Sequence, residues 1–329
     1  MASVSSSLEP QVARSTSWRD IKITRTMIFS VLFIIAGLVL LVSAPPNMTD
    51  ETVTTLTFGD PRLPAVAVPT LLYTIIVAAY YILAGIVGLL PTPQRLKTIL
   101  LLLAGFLIIP TVLIVAAANS STNVTVMLQV SVRLATPIVM GALAGIWCER
   151  SGVTNIAIEG MMLTGACFGF VAFWMFSSSM TTPQAQLMGV IAASLSGGLM
   201  AVLHAWLSIT FKTDQIVSGT VINILAIGLT SFVRREVLLS SEAGRETLQQ
   251  IRLPVLGDIP VLGDVFFNGR PIFYAMFVLL FVTHIVLFYT RWGLRTRAVG
   301  ENPRAADTLG INVLRNRWIN VIIGGLIAG

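Results

Sequence analysis

Long apolar runs separated by short polar connectors constrain this chain more than any other feature. Met27 to Val42, Val66 to Leu90, Ile99 to Ala118, Val126 to Trp147, Met161 to Phe176, Leu187 to Phe211, Gln215 to Leu239 and Ile272 to Thr290 are apolar over most of their length, and Trp318 to Gly329 begins another such run. Roughly 20 apolar residues are needed for a helix to cross the hydrocarbon core of a bilayer. In lipid, every backbone N–H and C=O must find its partner inside the protein, and a run of this length does so as a helix. The fold class expected is all-α, a polytopic transmembrane bundle of about nine helices. Composition agrees, with 55% hydrophobic and 11% charged residues, against about 45–50% and about 25% in soluble domains.

The net charge of +6 does not point to nucleic acid, because the cations form no patch with interleaved aromatics. They gather between apolar runs instead. Arg14, Arg19, Lys22 and Arg25 precede the first, Arg95 and Lys97 lie between the second and third, and Arg291, Arg295, Arg297, Arg304, Arg315 and Arg317 crowd one late connector. Lys and Arg accumulate in cytoplasmic loops, so a multi-pass protein of the inner or plasma membrane with a cytoplasmic N-terminus is expected, in contact with membrane lipid.

Residues 1–26 are polar and Ser-rich and read as a cytoplasmic tail, with residues 27–329 as one integral transmembrane domain. Met27 to Val42 followed by Ser43, Ala44 and Pro45 has the outline of a secretory signal. It is read here as a retained first span, since the later spans need an anchor of the same orientation. Pro45 to Pro64 and Asn119 to Thr125 read as outer loops, and Pro91 to Lys97 as an inner turn. Ser240 to Pro271 is the longest hydrophilic connector between spans and is expected to be functional. Trp318 to Gly329, about 12 residues at about 1.5 Å each, cannot cross about 30 Å of hydrocarbon, so the chain is read as a fragment ending within a span rather than as re-entrant.

No catalytic or metal-binding constellation is present in the sequence. His204 and His284 are single residues in separate apolar runs, each expected to be packed or hydrogen-bonded, and Cys148 and Cys167 lack metal-ligand spacing. The G-x-x-x-x-G-K-[ST] phosphate loop is missing, so any ATP would be bound with Mg by a partner rather than by this chain.

Between two apolar runs stands W-C-E-R-S-G-V-T-N-I-A-I-E-G-M-M-L-T-G, Trp147 to Gly165. An ionised group near a bilayer centre costs roughly 2.5–3.5 kcal/mol, and this stretch holds Glu149, Arg150 and Glu159. Gly152 and Gly160 bracket Val153 to Glu159, so the helix is expected to break and re-form here. Such broken helices mark pathways through membranes. Glu149 and Arg150 read either as an interfacial pair or as part of a pathway. Glu159 reads either as a carboxylate at a helix start or as a fixed charge at the inner mouth of a pathway. Asn155 suits the unpartnered backbone that a break leaves. Gln215 to Leu239, with Ser218, Gly219, Asn223 and Gly228, reads as a second irregular span.

The late connector contains R-A-V-G-E-N-P-R-A-A-D-T-L-G-I-N-V. Asn302 followed by Pro303 is a helix start and Gly310 a helix stop, so a short helix is expected between them. With Ala305, Ala306 and Leu309 facing a partner it would be a cytoplasmic docking helix, a reading preferred to that of a headgroup-binding basic loop.

On these residues the chain resembles a known family. E-R-S-G-V-T-N-I-A-I-E-G-M-M-L-T-G-A is similar to the signature of permease subunits of ABC importers for simple sugars and nucleosides, related to the branched-chain amino acid and ribose permeases. V-G-E-N-P-R-A-A-D-T-L-G-I-N-V resembles their ATPase-contacting loop, and K-T-D-Q-I-V-S-G-T-V-I-N-I-L-A-I-G a third stretch. The resemblance covers Val126 to the end. The form N-I-A-I-E-G looks more like the nucleoside branch than the ribose branch. It implies a permease that forms the translocation pathway with a second permease subunit, identical or related, two ABC ATPase subunits and an extracytoplasmic substrate-binding protein. Coupling to the ATPases would fall on Asn302, Pro303, Ala305, Ala306, Asp307 and Gly310, and the pathway on Asn155, Glu159 and Asn223. An ion-gradient-driven secondary transporter, with Glu149 or Glu159 carrying the proton or cation, is the alternative. A scaffold that transports nothing is a third reading.

Overall fold

The computed structural model describes residues 24–238 and 248–329. The expected N-terminal tail lies outside the described residues except for its last three positions, and so do residue 239 and residues 240–247 of the long connector. The chain divides into two compact units, Met1–Val124 and Thr125–Gly329.

In the first unit α1 (Arg25–Asn47) is N-capped by Thr24, whose hydroxyl accepts from the Met27 N–H at 3.4 Å. Next come β1 (Val53–Thr57), β2 (Val66–Pro69), α2 (Thr70–Leu89), α3 (Gln94–Ala116) and β3 (Ser121–Asn123). α1 and α2 share an apolar core built on Phe33, Val77, Tyr81 and Ala84, joined by Ala104 of α3. The two connectors expected to be plain loops contribute β1 and β3, and the expected start of the second span, Val66–Pro69, is instead β2, giving one sheet ordered β2-β1-β3. β1 runs antiparallel to β2, with Val53 opposite Pro69 and Leu56 opposite Val66, and parallel to β3, with Thr55 opposite Ser121. V-T-T-L-T is rich in β-branched residues that suit a pleated ribbon. Thr54, fully buried, fastens this ribbon to the helix ends: its hydroxyl donates to Ile114 O at 2.9 Å and lies 2.8 Å from the Thr70 hydroxyl.

The second unit opens with α4 (Val124–Arg150), α5 (Ile158–Phe176), α6 (Thr182–Ala205) and α7 (Gln215–Val233). α6 ends in a wider turn closed by the Phe211 N–H on Trp206 O at 3.2 Å. α7 is one regular helix to Val233 and widens only in its last turn, Arg234–Leu238, so the irregularity expected of this span lies at its end and not at its glycines. Gly219 and Asn223 serve contacts with a neighbour instead of a break. Within the long connector β4 (Ile251–Arg252), α8 (Leu262–Phe266) and β5 (Asn268–Gly269) form a small ordered subdomain, with Ile251 opposite Gly269 and the Arg252–Asp258 ion pair at 2.8 Å. α9 (Pro271–Tyr289) follows, then α10 (Arg291–Glu301), α11 (Pro303–Thr308) and α12 (Val313–Ala328). Arg291 to Arg317, expected as a loop, is thus largely helical.

Among the described residues, eight helical segments are long and apolar enough to cross a membrane, which with the scarcity of other structure makes this an all-α polytopic bundle and a multi-pass membrane protein. α12, at 16 residues, is shorter than these. It packs on the small-residue face of α6, where the Ser194 hydroxyl donates to Leu326 O at 2.7 Å. The core of the second unit is built from Ala144, Cys148, Val153, Ala157, Met161, Ala201, Ile222 and Val321. α4, α5, α6, α7 and α12 therefore converge on the seven residues that separate α4 from α5.

Candidate functional site

α4 stops in an ordered way. The Val153 N–H returns to Cys148 O at 3.1 Å and the Gly152 N–H to Glu149 O at 2.9 Å, with Gly152 at φ 79°. This is the paired closure in which a glycine takes the left-handed conformation just past a helix, satisfying carbonyls that would otherwise be orphaned. The chain then runs extended through Asn155, whose side-chain oxygen accepts from the Ala157 N–H at 3.0 Å, and α5 begins at Ile158. The expected break is present, with one correction: Gly152 makes the turn, whereas Gly160 is already inside α5.

A break between two helices leaves backbone groups with no partner inside either helix. One face of α7 supplies them. Gln215 Oε1 accepts from the Thr154 N–H at 2.7 Å, Asn223 Nδ2 donates to Ile156 O at 3.0 Å, and Asn223 Oδ1 accepts from the Gly160 N–H at 2.8 Å. Gln215, Gly219 and Asn223 are four residues apart, so they share one face. At Gly219, a Cβ would stand 2.9 Å from Ile156 Cβ and 3.0 Å from Ala157 N, so only glycine lets α7 come this near. α5 is thereby N-capped by a side chain from another helix.

Asn155 is 7% exposed and its amide nitrogen faces Cys148 Sγ at 3.4 Å and Met161 Sδ at 3.6 Å. Both polar atoms of its side chain are turned to the local fold. Glu159 stands exposed in the first turn of α5, where the helix dipole favours a carboxylate. Glu149 and Arg150 are both exposed and do not pair with each other; the Arg150 guanidinium lies 6.0 Å from the Phe288 ring centre, and Arg297 lies 5.1 Å from the same ring. His204 is fully buried with Nδ1 3.1 Å from the Ser218 hydroxyl, and His284 stacks against Phe288 and Tyr289.

The basic segment reaches the break directly. α10 lies so close to the end of α4 that a Cβ on Gly300 would stand 2.4 Å from Arg150 O, and Arg317 of α12 donates from Nε to Ser151 O at 3.2 Å. α10 and α12 are held together by a buried cluster in which Asn320 Nδ2 donates to Thr296 Oγ1 at 3.2 Å and to Asn316 Oδ1 at 3.0 Å. α11 forms as its sequence requires: Asn302 Oδ1 accepts from the Ala305 N–H at 3.1 Å, Pro303 takes the first helical position, and Gly310, at φ 78°, closes the helix as the Ile311 N–H bonds Ala306 O at 3.1 Å. Ala305, Asp307 and Leu309 are exposed, Leu309 to 80%. Ala306 is 2% exposed and faces the protein, which corrects the expectation that it faces a partner. At i and i+3 Ala306 and Leu309 are near neighbours on the helix, but Leu309 sits at the unwound C-cap and turns away.

Gln215, Gly300 and the Thr296–Asn316–Asn320 cluster were not expected at the site from sequence, and Gly219 and Arg317 were read only as part of an irregular span and of a basic connector. The four-residue spacing Q-x-x-x-G-x-x-x-N is the signal that could have singled out Gln215 and Gly219.

A multi-pass helical bundle whose helices converge on one buried turn, with a capped basic elbow fastened to that turn, is the architecture of an integral membrane protein. The chain belongs to the family described as branched-chain amino acid transport system / permease component, whose model matches residues 126–329. It is 42% identical over 200 residues to the guanosine ABC transporter permease protein NupQ of Bacillus subtilis, covering 59% of this chain and 62% of that one. It is 38% identical over 197 residues to the nucleoside ABC transporter permease protein NupC of Lactococcus lactis subsp. cremoris, covering 59% and 62%. Identity to the putative glucose ABC transporter permease protein TsgC13 of Haloferax volcanii is 34% over 213 residues, covering 62% and 60%. The matched part of the chain thus spans about three-fifths of the length of these relatives. No solved structure matches.

Proposed function

We propose that this chain is the membrane-spanning permease subunit of an ATP-driven ABC importer that carries nucleosides inward. The observation that carries the reading is the join between elbow and break: Gly300 and Arg317 bear on Arg150 to Gly152, so a push on α11 is delivered to the start of the broken segment. ATP and Mg are bound and hydrolysed in separate ATPase subunits that grip α11 through Ala305, Asp307 and Leu309, while Asn302, Pro303, Ala306 and Gly310 hold its shape. The basic elbow and the N-terminus face the cytoplasm, in keeping with the positive-inside pattern. Residues 27–329 act as one permease domain, paired with a second permease subunit, and a substrate-binding protein delivers solute at the opposite face. Glu159 and Asn223 border the pathway, and Asn155 sets the path of the chain between them. The names of the relatives in Bacillus subtilis and Lactococcus lactis support a nucleoside over a sugar.

Uptake of radiolabelled nucleosides by membrane vesicles containing the chain, its ATPases and its binding protein tests this. Uptake should stop when ATP is removed and persist with a protonophore. Uptake that survives ATP depletion and collapses with the protonophore would overturn it.

A further inference from the structure

At the end of the second unit opposite the elbow, a cavity of about 240 Å³ opens between the first half of α4 and the segment leading into α9. α4 and α9 run in the same direction there, since the Gln129 amide donates to Asn268 O at 3.4 Å near one end and the Trp147 indole to Thr283 Oγ1 at 3.1 Å near the other. The polar lining consists of Gln129, Arg133, Thr136, Gln250, Asn268 and Arg270. No aspartate or glutamate lines it.

The lining is rich in donors and poor in charge compensation. Neither Arg133 nor Arg270 belongs to an ion pair among the described residues, and the buried Nε of Arg270 has no hydrogen-bond partner. Arg133 stands nine residues into an apolar span, and an ionised side chain in such a place marks a partner or a function. A guanidinium only donates, so what completes this cavity must bring acceptors. Phe273, which is 6% exposed, adds an aromatic wall.

Size and chemistry narrow the occupant. Sites for whole drug-sized ligands run from about 300 to 1,000 Å³, so 240 Å³ takes one ring system. The planar fork of arginine matches two adjacent acceptors, and the paired carbonyl oxygen and ring nitrogen of guanine are its commonest partner among the bases. Resting on the importer reading above, we infer that this cavity is a selectivity site for the base of a 6-oxopurine nucleoside, with Arg270 and Arg133 addressing its acceptor edge.

The test uses the full chain assembled with its partner subunits in lipid nanodiscs for binding and in proteoliposomes for uptake, with radiolabelled guanosine, inosine and cytidine as probes. Arg133→Gln and Arg270→Gln should each weaken guanosine and inosine binding about ten-fold or more and leave cytidine binding unchanged. Arg270→Lys, which keeps the charge and loses the fork, should restore only part of the loss. Among the described residues neither arginine belongs to an ion pair, so melting temperatures should stay near the wild type. Equal affinities in wild type and variants, or displacement of guanosine by inorganic phosphate at equal concentration, would overturn the inference. Wild-type uptake whose base preference is unchanged in both variants would sink the site and leave the import reading standing. Arginine-dependent guanosine binding without ATP-driven uptake would do the reverse.

Discussion

Asn223 on α7 takes the N–H of Gly160 at 2.8 Å and so caps a helix to which it does not belong. Its other side-chain atom holds Ile156 O at 3.0 Å, so a single amide ties the last turn before α5 to the first turn of α5 itself. Replacing it by alanine leaves both backbone groups without partners, and each such group costs about 1–3 kcal/mol when water cannot replace the bond. Asn223→Ala should therefore lower the melting temperature of the detergent-purified protein clearly. Asn223→Asp keeps the acceptor, loses the donor, and should fall between the two. Thermal unfolding followed by intrinsic fluorescence checks the order.

The closeness of α7 to the break gives a second prediction with its own control. Gly219→Ala places a methyl 2.9 Å from Ile156 Cβ, in backbone that is already packed, and overpacking of this kind costs about 1–3 kcal/mol. Gly228 lies on the same helix with nothing within 4 Å of the position a Cβ would take. There alanine only improves helix propensity, by roughly 0.5–1 kcal/mol. Opposite signs of the shift in melting temperature are expected for the two substitutions. Equal shifts would show that the contact at Gly219 contributes nothing.

What could be read from sequence was what is local along the chain. The spans follow from hydropathy, the stop of α4 from Gly152, and α11 from the order Asn302, Pro303, Gly310. The cap on α5 could not be read in this way, because its donor and acceptor are 63 residues apart and a helix such as α7 with polar residues and glycines looks the same as an irregular one. Strand β1 was hidden for a similar reason: V-T-T-L-T is too short to stand out beside the spans, and one of its two partners, β3, lies in a separate connector. Ala306 was misplaced because alanine carries no sign of whether it faces inward or outward, and only the packing of α11 decides.

That packing separates two substitutions on α11 that sequence alone would treat alike. Leu309→Asp adds a charge to an exposed position and should reduce co-purification of the ATPase subunits about ten-fold or more, a loss of about 1.4 kcal/mol, with no change in melting temperature. Ala306→Asp adds a carboxylate at a site that is 2% exposed. A buried charge without a partner destabilises strongly, so here the melting temperature should fall together with ATPase binding. Finding normal stability for Ala306→Asp would mean that α11 can turn its inner face outward.

The link from elbow to break is the place where ATP-driven movement and the pathway meet in the proposed mechanism, and Arg317 can test it alone. Its Nε donates to Ser151 O at 3.2 Å, while α11 keeps its own caps from Asn302 and Gly310. Arg317→Gln shortens the side chain and removes the charge-assisted bond, worth about 1.5–3 kcal/mol locally, without touching the surface offered to the ATPases. Binding of the ATPase subunits and ATP hydrolysis should then stay near wild type, while nucleoside uptake per ATP hydrolysed falls several-fold. A loss of hydrolysis and uptake in equal proportion would point instead to poor docking. Uptake and phosphate release measured on the same proteoliposomes distinguish the two, because only a broken link between α12 and the end of α4 lowers the ratio.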